Sequence, residues 1–497
     1  MDFRVIAKVL GFLLELVAIA MLVCLGFAYA EEWWGMDSPA IKALKISAAI
    51  TAGGGALLYI ISKLKIKGKK ARKEILRREA IAIVGLTWIL AAAFGSLPYI
   101  FCDPGLSIPQ AYFESMSGFT TTGSTTIIDL ALYPDSILLW RSLTQWLGGL
   151  GIVVMFVAVL GFLGVGSRSL MQHESSVNIN EGARVRIHDV ALSLFKVYIG
   201  LTVICGLGLY LLFGMPWFDA LNHALTTIST GGFSTKNASV GHYNSLAIES
   251  WLALFMLLSG LSFMLYVSII NGNWKRIKKE EEARNYIIAL FVITLLISLN
   301  LWMSGQVDSF EAGLRNTFFT VISISTTTGF GTEDYDQWPT FSKWLILVLM
   351  FIGGCAGSTA GGVKVNRVIL FFKISAQELV KTFRPKQVFT LKINGLKMEP
   401  GIRAQTMFFL ILAVFIWGVG TVSISLIEPN MDLQTSLGAG AATMFNIGPG
   451  LGDLGPTRNF AQLHPVSLFM LSLLMTLGRL EIFAVLVLFM PSLWRKY

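Results

Sequence analysis

The chain has 497 residues, of which 54% are hydrophobic and only 14% charged, and its mean hydropathy is +0.66. Soluble packed domains cannot bury that much apolar surface, so an ordinary cytoplasmic enzyme is excluded. The formal charge of +9 is no nucleic-acid footprint either, because the lysines and arginines cluster in short segments between apolar runs.

A hydrocarbon core of about 30 Å takes roughly 20 apolar residues per helical crossing. Ten crossings are predicted in chain order, near residues 5–29, 41–62, 79–101, 138–163, 190–213, 247–270, 286–303, 341–372, 404–427 and 466–490. The first has a basic start and a small-residue ending, but its apolar run exceeds the roughly 7 to 15 residues of a signal-peptide core, which predicts an uncleaved helix.

Positive charge concentrates in residues 63–78, 275–284 and 364–403. No Lys or Arg lies between Arg78 and Arg141, whereas Asp103, Glu114, Asp129 and Asp135 do; from 304 to 340 only Arg315 faces Asp308, Glu311, Glu333, Asp334 and Asp336. This alternation is what the positive-inside rule produces. It predicts a multi-pass membrane protein with an even number of crossings and both termini cytoplasmic.

After the first two crossings the other eight fall into pairs. Between the members of each pair lies a semi-apolar segment of about a dozen residues, too short to span and more apt to re-enter. These segments rhyme: AYFESMSGFTTTGSTT at 111–126, FDALNHALTTISTGGFST at 218–235, FFTVISISTTTGFGT at 318–332 and AATMFNIGPGLG at 441–452. Aligning one glycine of each gives Gly123, Gly231, Gly329 and Gly448. The organisation expected is all-α: two N-terminal helices (1–70), then four helix, re-entrant loop, helix repeats (71–170, 171–275, 276–385, 386–497) around one pseudo-fourfold pore.

Backbone that leaves a helix at membrane depth exposes polar groups, and survives only inside protein or along a water-filled cavity. Four such loops about one axis have a use: their carbonyl oxygens can replace the hydration shell of a cation. Glycine at the turn tolerates positive φ, and the C-terminal end of each short helix carries partial negative charge. Asp308, Glu333, Asp334 and Asp336 are expected to concentrate cations outside.

The loops TTTGST, STGGFST, TTTGFGT and NIGPGLG resemble the degenerate filters of the Trk/Ktr/HKT superfamily of potassium transporters, and the resemblance extends over nearly the whole chain. Two extra N-terminal helices make it look like the bacterial Trk membrane subunit. The resemblance implies a potassium filter built from the backbone of Thr121, Thr122 and Gly123; Ser229, Thr230 and Gly231; Thr327, Thr328 and Gly329; and Asn446, Ile447 and Gly448. It also implies a homodimer and a cytoplasmic TrkA-like nucleotide-binding regulatory subunit.

The eighth crossing is interrupted by GGCAGSTAGG at 353–362. Each interior Gly costs a helix about 1 kcal/mol against Ala, and the doublets Gly353–Gly354 and Gly361–Gly362 flanking Gly357 favour a break. By resemblance this is an intramembrane loop that gates the pore. Arg479 falls in the middle of the last crossing, where a buried charge costs at least about 2.5 to 3.5 kcal/mol. It is read as a fixed positive charge below the filter and part of the gate.

Glu114, Asp219 and Glu311 precede their loops by unequal distances and are expected to cap or solubilise the short helices. The Asn-Gly pair in LKINGLKMEP at 391–400 predicts a small hairpin. The four cysteines read as buried apolar residues, and the scattered histidines offer no metal-ligand spacing. No GxxxxGK[ST], GxSxG or HExxH motif is present, so the expected activity is transport of potassium ion down a gradient, with no organic cofactor and no enzymatic chemistry. A proton- or sodium-coupled potassium symporter is the alternative, and a multi-span membrane enzyme a more distant one.

Overall fold

The computed structural model describes residues 2–33, 35, 39–64, 77–151, 187–274, 277, 280–387, 390–393, 396–397, 400–480 and 482–494. The chain is mostly helical. Two long apolar helices, α1 (Phe3–Trp33) and α2 (Ala40–Lys63), precede α3 (Arg77–Gly95), a single-turn α4 (Leu97–Phe101), a short helix α5 (Ile108–Phe119) and α6 (Asp135–Leu150). The same order of long helix, short helix and following helix then recurs. It comprises α7 (Ile187–Leu211), α8 (Trp217–Ile228), α9 (Leu246–Gly260) and α10 (Phe263–Ile270), then α11 (Glu281–Met303), α12 (Phe310–Ser325), α13 (Thr340–Phe351) and α14 (Val365–Phe383). It ends with α15 (Pro400–Ile427), α16 (Leu433–Met444), α17 (Pro465–Arg479), α18 (Phe483–Leu486) and α19 (Pro491–Trp494). A two-stranded hairpin, β1 (Lys392–Ile393) with β2 (Leu396–Lys397), pairs Ile393 with Leu396 and so flanks the expected Asn-Gly turn.

Among the described residues six helices are long and apolar enough to cross a bilayer, and their exposed faces carry large apolar side chains such as Phe291, Ile411 and Phe415, which suits contact with lipid tails rather than water. The molecule is a multi-pass membrane protein.

The expected crossings need correction at two places, while the interruption expected in the eighth is present. Apart from a turn at Ser96 between α3 and α4, the first helix of each pair is continuous, but three of the second helices are broken. The crossing expected at 247–270 bends by 90° between α9 and α10, and that at 466–490 by 117° between α17 and α18. The one at 341–372 stops at Phe351 and resumes at Val365. Of the crossing at 138–163, α6 is helical to Leu150 and residues 152–163 lie outside the described set. Hydropathy could not show the bends after Gly260 and Arg479, because Leu261, Leu480 and Ile482 are as apolar as the helices they interrupt.

The short helices stop where capping chemistry starts them and tertiary contact ends them. Ser107 N–H donates to Gln110 Oε1 (3.3 Å) ahead of α5, Ser309 Oγ accepts from Ala312 N (3.2 Å) ahead of α12, and Asp432 Oδ1 accepts from Thr435 N (2.9 Å) ahead of α16, all N-cap arrangements. Three of these helices have 12 residues, a length of about 18 Å that cannot cross a bilayer. The C-terminal ends of α5 and α16 are packed by glycines of the following helices. A Cβ on Gly148 would strike the Phe119 carbonyl, and one on Gly478 the Met444 carbonyl.

Helices α1 and α2 pack along a small-residue seam, where a Cβ on Gly11 would lie 2.8 Å from the Gly55 carbonyl. The ring of Phe3 stacks on Trp494 at 6.2 Å, so both ends of the described chain lie on one side of the molecule. Gly11→Leu is expected to force the two helices apart at a cost of about 1–3 kcal/mol. That cost reads as a lower thermal midpoint of the purified protein, and an unchanged midpoint would refute the seam.

Candidate functional site

Each short helix runs directly into a residue with left-handed backbone: Thr121 (φ 52°), Thr230 (φ 54°), Thr327 (φ 56°) and Asn446 (φ 55°). The hydrogen bonding is the same in all four. The N–H of the left-handed residue reaches back three residues, to Gly118, Thr227, Ile324 and Thr443; the next N–H reaches back five, from Thr122 to Ser117, Gly231 to Thr226, Thr328 to Ser323 and Ile447 to Ala442. This is the Schellman termination, which normally places Gly at the left-handed position. Threonine there is a genuine outlier and costs of order 1–3 kcal/mol each. All four residues are fully buried.

Two residues further on comes a second left-handed position, always glycine: Gly123 (φ 89°), Gly232 (φ 77°), Gly329 (φ 81°) and Gly448 (φ 105°). The second segment therefore sits one residue later than the sequence alignment placed it. Gly231 is equivalent to Thr122, Thr328 and Ile447, Thr230 to Thr121, and Ser229 is the residue closing α8. A side-chain contact gives the same register independently. Thr125 Oγ1 donates to Glu114 (3.0 Å), and Ser234 Oγ meets His223 Nε2 (3.0 Å); in each case the partners are eleven residues apart and the later one follows the glycine by two. The doublet Gly231–Gly232 allowed both alignments, and only backbone conformation separates them.

The four turns touch one another in a closed circuit. A Cβ on Gly123 would strike the Gly231 carbonyl, one on Gly232 the Thr328 carbonyl, one on Gly329 the Ile447 carbonyl, and one on Gly448 would lie 2.8 Å from the Thr122 carbonyl. Each glycine thus makes room for the carbonyl preceding the next glycine, in chain order, until the fourth returns to the first. A cavity of about 150 Å³ lies on the far side of this ring from the short helices and is lined by Gly123, Gly232, Gly329 and Gly448. One of these carbonyls has a protein donor as well, Gln145 Nε2 to Gly231 O (2.6 Å), and the carbonyl of the ring glycine Gly448 accepts from Ser124 Oγ (2.7 Å).

On the helix side of the ring lies the 353–362 loop. Thr359 Oγ1 donates to the Ile228 carbonyl (3.0 Å), Gly361 N–H donates to Thr327 Oγ1 (2.6 Å), and a Cβ on Gly361 would lie 2.9 Å from Asn446 Cβ. The loop therefore contacts three of the four turns. Gly357 (φ 75°) and Gly362 (φ 65°) supply its left-handed bends, while Gly353 and Gly354 are closed in by the Gly361 and Gly260 carbonyls. Arg479 closes α17 rather than lying mid-helix, and its Nη1 donates to the Thr359 carbonyl at 2.7 Å. Loop and arginine, separated by more than a hundred residues in sequence, are thus brought into contact. Glu481 lies outside the described residues.

The carboxylates fall out differently from expectation. Glu114 is no cap: it lies within α5, fully buried, with Oε1 2.8 Å from Arg141 Nε and Oε2 accepting from Thr126 N (2.7 Å). Arg141 Nη1 donates to the Ser234 carbonyl (3.1 Å), so the pair ties the segment after the first turn to that after the second. Asp219, in the first turn of α8, accepts from Thr235 Oγ1 (2.6 Å) and pairs with Lys236 (3.2 Å); Glu311 is exposed in the first turn of α12. None of Asp308, Glu333, Asp334 and Asp336 lines the cavity. Asp336 Oδ1 instead accepts from Gly452 N (2.8 Å) and Gln434 Nε2 (3.2 Å), joining the third segment to the fourth. Asn237 donates to Asp129 (2.7 Å), and this bond holds the Asp129 carboxyl below its ordinary range.

Sequence reading missed Gln145, Arg141 and Thr359. Of these only Arg141 left a signal, as an ionised side chain within an apolar stretch, which needs a buried partner. Removing one member of a buried pair costs about 3–5 kcal/mol, whereas replacing both is far milder. Glu114→Gln is therefore expected to lower thermal stability more than the double variant Glu114→Gln/Arg141→Met. A double variant at least as unstable as the single one would show that the pair does not act as a unit.

Comparison with known proteins gives the family. Residues 46–496 match the family model TrkH, described as a cation transport protein. The Trk system potassium uptake protein TrkH of Halomonas elongata is 36% identical, with all of both chains covered, as is its namesake in Escherichia coli K12. The crystal structure of the potassium transporter TrkH from Vibrio parahaemolyticus superposes with a TM-score of 0.86 at 33% identity, again covering both chains completely. This chain belongs to the TrkH family of cation transport proteins, a family of membrane transporters and not of enzymes.

Proposed function

We propose that the protein takes up potassium across a bacterial inner membrane, with both termini cytoplasmic, through a channel-like pore whose selectivity filter is the ring of four turns. The observation that carries this reading is the closed circuit of carbonyl-to-glycine contacts, because four backbone reversals from one chain have no other reason to meet. Non-helical backbone within a membrane needs protein or water around it, and a ring of carbonyl oxygens is what a dehydrated cation requires. The filter backbone is Thr121–Thr122–Gly123, Thr230–Gly231–Gly232, Thr327–Thr328–Gly329 and Asn446–Ile447–Gly448, with Ser229 moved out of the set by the register of the second turn. Relatives named as potassium uptake proteins favour potassium as the substrate.

The short helices end at the ring, so their partial negative charge favours a cation there. The driving force is the membrane potential, worth about 2.3 kcal/mol per charge at 100 mV. The 353–362 loop, lying against the turns and held by Arg479, is the gate, and the guanidinium adds a like-charge barrier to a passing cation. A cytoplasmic TrkA-like nucleotide-binding subunit sets the state of this gate from the basic side of the molecule, and two membrane subunits pair as a homodimer.

Rubidium flux into liposomes holding only this protein tests the filter and the gate separately. A Cβ at Gly232 meets the Thr328 carbonyl in left-handed backbone, whereas one at Gly231 meets only the end of the Gln145 side chain. Gly232→Ala should therefore reduce flux at least about tenfold, since such strain alone costs about 1–3 kcal/mol, and Gly231→Ala should reduce it less. The reverse order would sink the filter register. Arg479→Ala should raise basal flux severalfold, and a flux equal to that of the native protein would remove the gate role.

A further inference from the structure

We propose that Glu282 is a clasp that holds the 353–362 loop against the ring and couples it to the cytoplasmic start of α11. The inference rests on the reading of that loop as the gate. Glu282 lies in the first turn of α11 and is 4% exposed. Its Oε1 accepts from the Ala356 N–H at 2.8 Å and from the Asn366 N–H at 3.0 Å. Ala356 belongs to the loop and Asn366 to the first turn of α14, so one carboxylate oxygen holds the loop to the helix that follows it. The two ends of the loop are also joined to each other, by Gly353 N–H to the Val363 carbonyl and Val363 N–H to the Phe351 carbonyl, both 3.0 Å.

Two further observations give this contact a purpose. The N-cap position of α14 is Lys364, whose side chain makes no capping bond. The Asn366 N–H, one of the donors left over at that end, is thus served from another helix, by a carboxylate whose charge suits a helix N-terminus. The residue before the clasp, Glu281, pairs with Lys373 of α14 at 2.6 Å. Both acidic residues that open α11 therefore grip the gate loop or the helix behind it. They follow KRIKK in sequence, the basic run on the side where a regulator would bind. A burial this complete is costly for a carboxylate and is offset by charge-assisted bonds from backbone N–H donors. Pulling the start of α11 away would take Glu282 with it, leaving the loop without one of its fastenings.

The test uses the full chain in liposomes without any partner, and compares Glu282→Ala, Glu282→Gln and Arg479→Ala by rubidium flux. Glutamine keeps an Oε1 acceptor, so it should stay near the native rate. Alanine removes both bonds and should raise basal flux by about tenfold, the weight of one bond to a charged group. Amide hydrogen exchange at Ala356 and Asn366 should quicken in the alanine variant while the middle of α11 stays protected, which a general loss of structure would not give. Native or reduced flux in Glu282→Ala, with Arg479→Ala raised, overturns the clasp and leaves the gate reading standing. A glutamine variant as leaky as alanine overturns it too, and no rise in either Glu282→Ala or Arg479→Ala overturns both readings.

Discussion

The rest of the molecule is arranged around one constraint: four helices must each end in a left-handed residue and a left-handed glycine two positions later, with every such glycine pressed against a neighbour's carbonyl. A side chain at any of the four glycines would collide with backbone, so the ring cannot relax around a substitution as a core of side chains can. The strain at Thr121, Thr230, Thr327 and Asn446 persists only because the surroundings over-determine it. The doubled Schellman bonds do part of this. Capping holds the start of α5, α12 and α16, and Gly148 and Gly478 of the following helices hold the far ends of α5 and α16.

The four turns share a backbone but not their side-chain surroundings. Thr327 Oγ1 receives the Gly361 N–H, Thr230 Oγ1 donates to the Ser229 carbonyl, and Asn446 Nδ2 reaches both Thr122 Oγ1 and the Met475 carbonyl. On the cavity side the connections are ionic or amide-based: Glu114 with Arg141, Asp129 with Asn237, Asp336 with Gly452. This asymmetry is what a single chain permits and four identical subunits do not. It lets one turn carry the contact with a loop while another carries a buried charge pair, and it places the proposed gate on the second, third and fourth turns.

Much of this was legible in sequence. Four copies of a short apolar segment ending in Gly, Ser and Thr announced four chain reversals. The run at 353–362 announced a break, since a helix with that many glycines has little reason to form. Arg479 and the loop were both singled out from composition, though their contact was not. The one-residue slip at Gly231–Gly232 arose because letters cannot say which of two adjacent glycines takes positive φ. The breaks after Gly260 and Arg479 were hidden because hydropathy averages over windows longer than a bend. Glu114 was read as a cap because its partner lies 27 residues away on another helix.

Local chemistry written along the chain therefore determined that it spans a membrane, that its polar interruptions recur four times, and which segments cannot stay helical. These follow from side-chain transfer energies and backbone freedom, which are properties of residues and near neighbours. Tertiary structure alone decided that the four interruptions meet in a ring, which glycine of the second belongs to it, and that Arg479, Thr359 and Glu282 converge on one loop. Those depend on contacts between residues far apart in sequence, and such contacts exist only once the helices have packed.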